Sequence, residues 1–431
     1  MDTQAIASIQ FLQIQAASLL LYQSVLAEDV GQAFLNLLQS LHQLHLLQSL
    51  RHSDIDDLGC IRAYGNYFKT LAARNQSWED YLISRILTDD NPFTRQVQQK
   101  VPLPPALLAA AKQDLQALKN LYECNSEQLS QWVQAAANLN VAPVAWTCNS
   151  CADQTFLPDW TNVEELAAYY RKQGTGIFAK YKALRWQSGQ LVGIPHPDPV
   201  VINQLTGYEY QRDALLKNTE FLLAGHRALH VLLYGSRGSG KSSLVKGLLN
   251  EYGSRNLRLI EVAKSDLKDL PAIVEQLRDV PQKFIIFVDD LSFEEDDDAF
   301  KALKVVLEGN LTARPQNVVV YATSNRRHLI REFFGDRPRP SNNEEVHAWD
   351  TVQEKLSFSD RFGLTLTFEP ANQNTYLQIV HHLAAIAGIT LTKEDIEYRA
   401  LQWATRHNGR SGRTARQFID FLQAEMTLNH S

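Results

Sequence analysis

Residues 230–249 read His230-Val-Leu-Leu-Tyr-Gly235-Ser-Arg-Gly-Ser-Gly240-Lys-Ser-Ser-Leu-Val245-Lys-Gly-Leu-Leu249. An apolar run of strand character enters a glycine-rich turn, and apolar residues at helical spacing leave it. The turn, Gly235 to Ser242, fits the pattern GxxxxGK[ST]. Glycines let backbone N–H groups point inward at phosphate oxygens, and the new helix presents its positive end to the same anion. Gly235, Ser236, Arg237, Gly238, Ser239, Gly240, Lys241, Ser242 and Ser243 are therefore candidate nucleotide-binding residues. Lys241 suits the β and γ phosphates of ATP, and the Ser242 hydroxyl suits Mg2+. A Gly/Ser-rich turn that happens to hold a lysine would fit the bare pattern. It would not explain the strand before it and the helix after it.

From about residue 205 strands and helices alternate. Helix Gln211 to Ala224 leads into the strand before the loop, and further strands are expected at Arg258–Val262, Phe284–Val288, Val318–Thr323 and Leu364–Phe368. Helices Asp269–Leu277 and Asp298–Glu308 fall between them. The pattern predicts an α/β P-loop core with a parallel five-stranded sheet covered on both faces. The third strand ends in Asp289-Asp290. A carboxylate delivered there, beside a phosphate loop, is a Mg2+ ligand in nucleotide hydrolases. Asp289 is the expected metal-side carboxylate, and Asp290 the group that polarises the attacking water, helped by Glu294. Without the loop upstream, such a pair would read as a helix cap or a solvated turn. The fourth strand, expected beside both the first and the third, runs into Asn325, which can bond the γ-phosphate or the water. Alone, Asn325 would be a turn former.

The chain has 431 residues, enough for two or three domains, and its 45% hydrophobic and 21% charged content is that of an ordinary globular protein. A net charge of -6 argues against a globally basic nucleic-acid binder. No signal peptide or membrane span is read, so the expected location is cytoplasmic. Cys60, Cys124, Cys148 and Cys151 are too scattered for a disulfide framework. The pair Cys148 and Cys151 lacks a second pair or C-x-x-H nearby to complete a zinc site, and is read as reduced structural or incidental thiols in preference to metal or redox use.

Residues 1–195 form the expected first domain, mostly helical, with a junction at its end. Phe11, Ile14, Leu19, Tyr22 and Leu26 fall near one face of a first helix, and Phe34, Leu37, Leu38, Leu41 and Leu44 stripe a second. Further helical stretches are Tyr67–Leu87, Pro105–Tyr122 and Glu127–Ala137. Ala167 to Trp186 mixes aromatic and basic residues. It is read as an amphipathic helix and strand docking onto the next domain, in preference to a nucleic-acid contact. Residues 196–371 form the nucleotide-binding domain. Residues 372–431 form a C-terminal helical lid with helices at Gln373–Ala387, Lys393–Arg406 and Thr414–Thr427.

From about residue 200 onward the sequence resembles the AAA+ ATPases. The phosphate loop, Asp289-Asp290, Asn325, Ser359-Asp-Arg361-Phe-Gly363 and Gly412-Arg413-Thr-Ala-Arg416 follow one another in the AAA+ order. The runs DDLSFE, SDRFG and GRSGRTARQF look like an uncharacterised bacterial family of stand-alone AAA+ ATPases defined only as a domain of unknown function. The resemblance implies that Arg361 is an arginine finger reaching a neighbouring subunit's ATP, and that Arg413 is a sensor-2 arginine, with Arg416 the alternative. A planar guanidinium suits both tasks because it spreads charge over phosphate oxygens. It also implies a homo-oligomeric ring, often of six. The commoner AAA+ pattern has Glu where this chain has Asp290; replication initiators resembling this arrangement also carry paired aspartates.

The expected function is ATP hydrolysis between subunits, moving the lid and remodelling an unidentified protein partner through the N-terminal domain. A slowly hydrolysing switch or adaptor and a DNA-associated loader are the alternatives. Residues 326–359 form a long insertion with Arg326, Arg327, Arg331, Arg337 and Arg339. It is read as interface or disordered chain in preference to a nucleic-acid contact.

Overall fold

The computed structural model describes residues 2–49, 58–147, 158–293, 298–308, 314–325, 358–407 and 409–429. Glu294, Cys148, Cys151 and the arginines of the insertion lie outside them. The chain divides into two compact units, Met1–Lys180 and Tyr181–Ser431.

The first unit is helical among the described residues: α1 (Thr3–Ala17), α2 (Asp29–Ser49), α3 (Leu58–Arg74), α4 (Trp78–Leu87), α5 (Pro92–Gln98), α6 (Pro105–Tyr122), α7 (Ser126–Ala136), α8 (Val163–Gln173) and α9 (Gly176–Lys180). The α2 stripe of Phe34, Leu37, Leu38, Leu41 and Leu44 is buried. Phe34 stacks on Trp78 with ring centroids 4.1 Å apart, and the Trp78 indole N–H donates to the Leu121 carbonyl at 2.8 Å. Two local expectations are corrected. Phe11 and Ile14 are 48% and 64% exposed, and α1 buries Ile9 and Leu12 instead. The helix stops at Ala17, where the buried Asp114 carboxylate accepts the N–H groups of Leu20, Leu21 and Tyr22, so one helical period cannot run through to Leu26. The stretch Tyr67–Leu87 is two helices, broken at Asn75 in the left-handed region (φ 50) and restarted by the Ser77 cap.

The second unit holds β1 (Ala183–Gln187), β2 (Gln190–Ile194), α10 (Glu209–Leu223), β3 (Val231–Gly235), α11 (Lys241–Tyr252), β4 (Leu257–Glu261), α12 (Leu270–Gln276), β5 (Lys283–Val288), α13 (Asp298–Glu308), β6 (Val318–Ser324) and β7 (Leu364–Phe368). Its sheet has seven strands in the order β2-β1-β4-β5-β6-β3-β7, not the five expected. The two additional strands form an antiparallel hairpin whose β1 pairs in parallel with β4; the other pairings are parallel. The hairpin turns through Ser188 (φ 51) and Gly189 (φ 80), a two-residue connection with both φ positive that matches the twist of its strands. Residues 284–288 of β5 and 318–322 of β6 are apolar and buried throughout, as strands covered on both faces require. After β7 come α14 (Gln373–Ile386), α15 (Lys393–Arg406) and α16 (Gly412–Asn429), which share a core of Tyr376, Val380, Leu383, Ala400, Phe418 and Leu422.

Candidate functional site

β3 delivers the glycine loop and α11 begins at Lys241. Gly235, Gly238 and Gly240 take φ values of 138, 74 and 90, which side chains other than glycine's rarely adopt. A Cβ on Gly235 would lie 1.9 Å from the Phe368 carbonyl oxygen at the end of β7, to which Ser236 N–H donates at 2.9 Å. On its other side the loop meets the start of α16: Arg413 N–H donates to Gly238 O at 3.0 Å. The Ser239 hydroxyl donates to Ser236 O at 3.0 Å, and Arg237 is exposed.

The Lys241 side chain folds back under the loop, donating from Nζ to Gly235 O at 3.0 Å and Ser236 O at 2.7 Å, with Asn325 Oδ1 at 3.5 Å. Burial pushes its ammonium below the usual lysine range, while the charges of Asp289 and Asp290 pull the other way. A desolvated cation at the N-terminus of a helix is a strong attractor for anionic oxygens.

β5 and β6 bring the acidic and polar residues to the same end of the sheet. Ser242 Oγ donates to Asp289 Oδ1 at 2.6 Å, and Thr323 Oγ1 donates to that oxygen at 2.5 Å. Asp290 sits in the left-handed region (φ 52), with its N–H on Thr323 Oγ1 at 3.0 Å. Its carboxylate accepts from Asn325 Nδ2 at 2.7 Å. β6 lies between β3 and β5, which is the adjacency expected of the strand carrying Asn325.

These residues open onto a cleft of about 800 Å³ that Ser243, Arg413, Arg416, Gln204, Tyr208 and Arg212 also line. Arg413 is exposed on the cleft wall, whereas Arg416 donates to Gln204 Oε1 at 2.8 Å. The donor set fits a nucleotide with Mg2+. The hydroxyl and carboxylate oxygens of Ser242 and Asp289 are hard ligands, and among the described residues there is no cluster of three or more His, Cys, Asp or Glu. Mg2+ needs none, since phosphate oxygens and waters complete its shell. Sequence reading missed the roles of Thr323 and Gln204. A polar triplet, Thr323-Ser324-Asn325, closing an apolar strand was the available signal for the first; nothing local marks the second.

Arg361 is not brought to this cleft. It ends the short 3-10 turn Phe358–Arg361 before β7, and Leu364 pairs with Val231 while Phe368 pairs with Gly235. Four residues of parallel strand span about 13 Å, so Arg361 lies toward the opposite end of the sheet from its own phosphate loop. Its Nε donates to Glu308 at the end of α13.

Residues 179–426 match the family described as "Protein of unknown function (DUF815)". The chain belongs to this family. The DUF815 match begins within two residues of the division between the units at Tyr181 and takes in the whole sheet, the loop and most of α16. The match agrees with the resemblance, read from the sequence, to an uncharacterised family defined only as a domain of unknown function. Among solved structures, two variants of RuvB from Thermotoga maritima are similar at 16% and 15% identity, each over 54% of this chain and 67% of that one, with TM-scores of 0.37. A third, described as the Thermotoga maritima RuvB Holliday junction branch migration motor, is 14% identical over 52% of this chain and 72% of that one, with a TM-score of 0.31. No curated protein matches the chain.

Proposed function

We propose that this chain is an AAA+ ATPase that binds ATP with Mg2+ in the cleft above β3, β5 and β6 and hydrolyses it in a homo-oligomer. The observation that carries this reading is the convergence of Lys241, Ser242, Asp289, Asp290 and Asn325 through one set of hydrogen bonds at the mouth of a glycine loop. Loop amides and Lys241 bind the phosphates, and Ser242 and Asp289 provide the metal's protein oxygens. When bound, Mg2+ neutralises phosphate charge. Asp290, oriented by Asn325, faces the water to be polarised. Arg413 reaches the phosphates from the head of α16, which the Gly238 contact ties to the loop. Helices α14–α16 act as the lid. Arg361, remote from its own loop, completes the site of a neighbouring copy; a ring, of six in the family likeness, presents it there. The helical first unit engages the protein to be remodelled, and the expected setting is the bacterial cytoplasm.

Phosphate release from the purified full chain with ATP and Mg2+ tests the reading. Turnover that Lys241→Ala abolishes supports it; turnover unchanged in that variant sinks it. A nucleotide-dependent switch is the second reading, motivated by the Asp290 side chain, one methylene shorter than glutamate and held by Asn325. Tight Lys241-dependent binding without sustained phosphate release selects the switch.

A further inference from the structure

Strand β5 ends at Val288, whose register partner on β6 is Ala322. One residue further along each chain the backbone ladder gives way to side chains. Thr323, 2% exposed, donates from Oγ1 to Asp289 Oδ1 and accepts the Asp290 N–H on the same oxygen. Beyond Asp290 the chain turns back, with Leu291 N–H donating to Thr323 O at 2.7 Å and Ser324 Oγ donating to Leu291 O at 2.8 Å. The left-handed conformation of Asp290 is disfavoured for an L-residue and persists where surrounding bonds over-determine it. Those bonds come from Thr323 and its neighbours.

We propose that Thr323 is a positioning residue whose single hydroxyl locks the Asp289 carboxylate and the Asp290 backbone into one unit, aiming the first at the metal and the second at the water. This rests on the ATPase reading above. Asp289 Oδ1 is oriented by two hydroxyls from two elements, Ser242 on α11 and Thr323 on β6. Ser242 is itself committed to the metal, and the Asp290 N–H reaches the same oxygen only at 3.2 Å, so Thr323 supplies the side-chain restraint that does not depend on the metal. Valine has the same shape without the hydroxyl. Its introduction removes the shorter of the two acceptors of the Asp290 N–H, leaving Asp289 Oδ1 at 3.2 Å, and takes a hydroxyl bond from the Asp289 carboxylate.

The test compares Thr323→Val and Thr323→Ser in the full chain by phosphate release, by thermal melting without nucleotide, and by titration of a fluorescent ATP analogue in EDTA and in Mg2+. Thr323→Val is expected to lower turnover at least about tenfold and to reduce the Mg2+-dependent gain in affinity by about threefold or more, with the affinity in EDTA retained. Thr323→Ser, which keeps the hydroxyl, is expected to restore both. Wild-type turnover and Mg2+ response in Thr323→Val overturn the proposal, as does a folded Thr323→Ser as impaired as the valine variant. If Thr323→Val does not fold, the serine variant decides alone: retention supports the hydroxyl's role and loss rejects it. A wild-type chain without Lys241-dependent nucleotide binding overturns the ATPase reading and this inference together, whereas a Lys241-dependent wild type with an unaffected valine variant overturns this inference only.

Discussion

Asn325 donates from Nδ2 to the Asp290 carboxylate at 2.7 Å while its Oδ1 faces Lys241 Nζ at 3.5 Å. One carboxamide thus joins the cation proposed to bind phosphate to the carboxylate proposed to polarise the water. Asn325→Ala removes the donor that orients Asp290 and leaves the loop amides and Lys241 in place. Turnover is expected to fall by about 10²-fold, the scale of one lost preorganised donor, with ATP affinity little changed. Phosphate release and nucleotide titration read the two separately; a variant that loses affinity in proportion to turnover would assign Asn325 to binding.

The register that sends Arg361 toward the far end of the sheet from its own loop makes a distinct prediction. Arg361→Ala is expected to bind ATP normally and lose about 10³-fold or more in turnover, the usual contribution of an arginine finger. Lys241→Ala has an intact Arg361 but no functional loop. Mixing the two inactive variants places intact loops beside intact arginines, and activity is expected to reappear. A mixture that exchanges subunits and stays inactive would mean that Arg361 serves its own chain.

Local patterns and non-local partners divide what could be read from the residues. The loop, β3 and β7 were legible because period and turn chemistry act over a few residues, and Asp289 and Asn325 because strand ends are local too. The strand at the end of Ala167–Trp186 was legible as β1, which docks on β4, but its hairpin partner β2 was hidden by its short strand, although Ser188-Gly189 is a turn signal. Phe11 and Ile14 were assigned to the wrong face because a helical period does not say where the helix stops. Asp114, 94 residues after Leu20, sets that point by binding the backbone beyond it. Thr323 was read as strand and is strand; its chemical role came from Asp289 and Asp290 on another strand.

Asp114 gives a stability prediction for the helical unit. Fully buried, it accepts from Leu20 and Tyr22 at 3.0 Å and from Leu21 at 2.7 Å. Asp114→Ala leaves three backbone donors without their acceptor, and a buried unsatisfied donor costs about 1–3 kcal/mol. A loss of at least about 3 kcal/mol is expected by chemical denaturation, with a smaller loss for Asp114→Asn, which keeps one acceptor oxygen. Equal stability of Asp114→Ala and wild type would mean that water replaces the carboxylate at these groups.

His230, at the entrance to β3, ties pH to the stability of the sheet. It is 4% exposed, and its Nδ1 accepts the Val320 N–H at 2.9 Å, so the neutral ring carries its proton on Nε2. Burial, reinforced by the positive charges of Arg314 and Arg227, pushes its pKa down from 6.5 to about 3. The unfolded chain therefore binds a proton here between pH 6.5 and about 3 that the folded chain does not. This contribution to stability is fully present above pH 6.5 and is lost as pH falls through that window, by about 2 kcal/mol at pH 5. His230→Asn can keep an acceptor for Val320 without a titrating ring, so its stability is expected to fall less between pH 7.5 and pH 5 than that of the wild type. Urea unfolding at the two pH values, followed by a probe on the sheet, measures both slopes; identical slopes would reject the assignment of this acid sensitivity to His230.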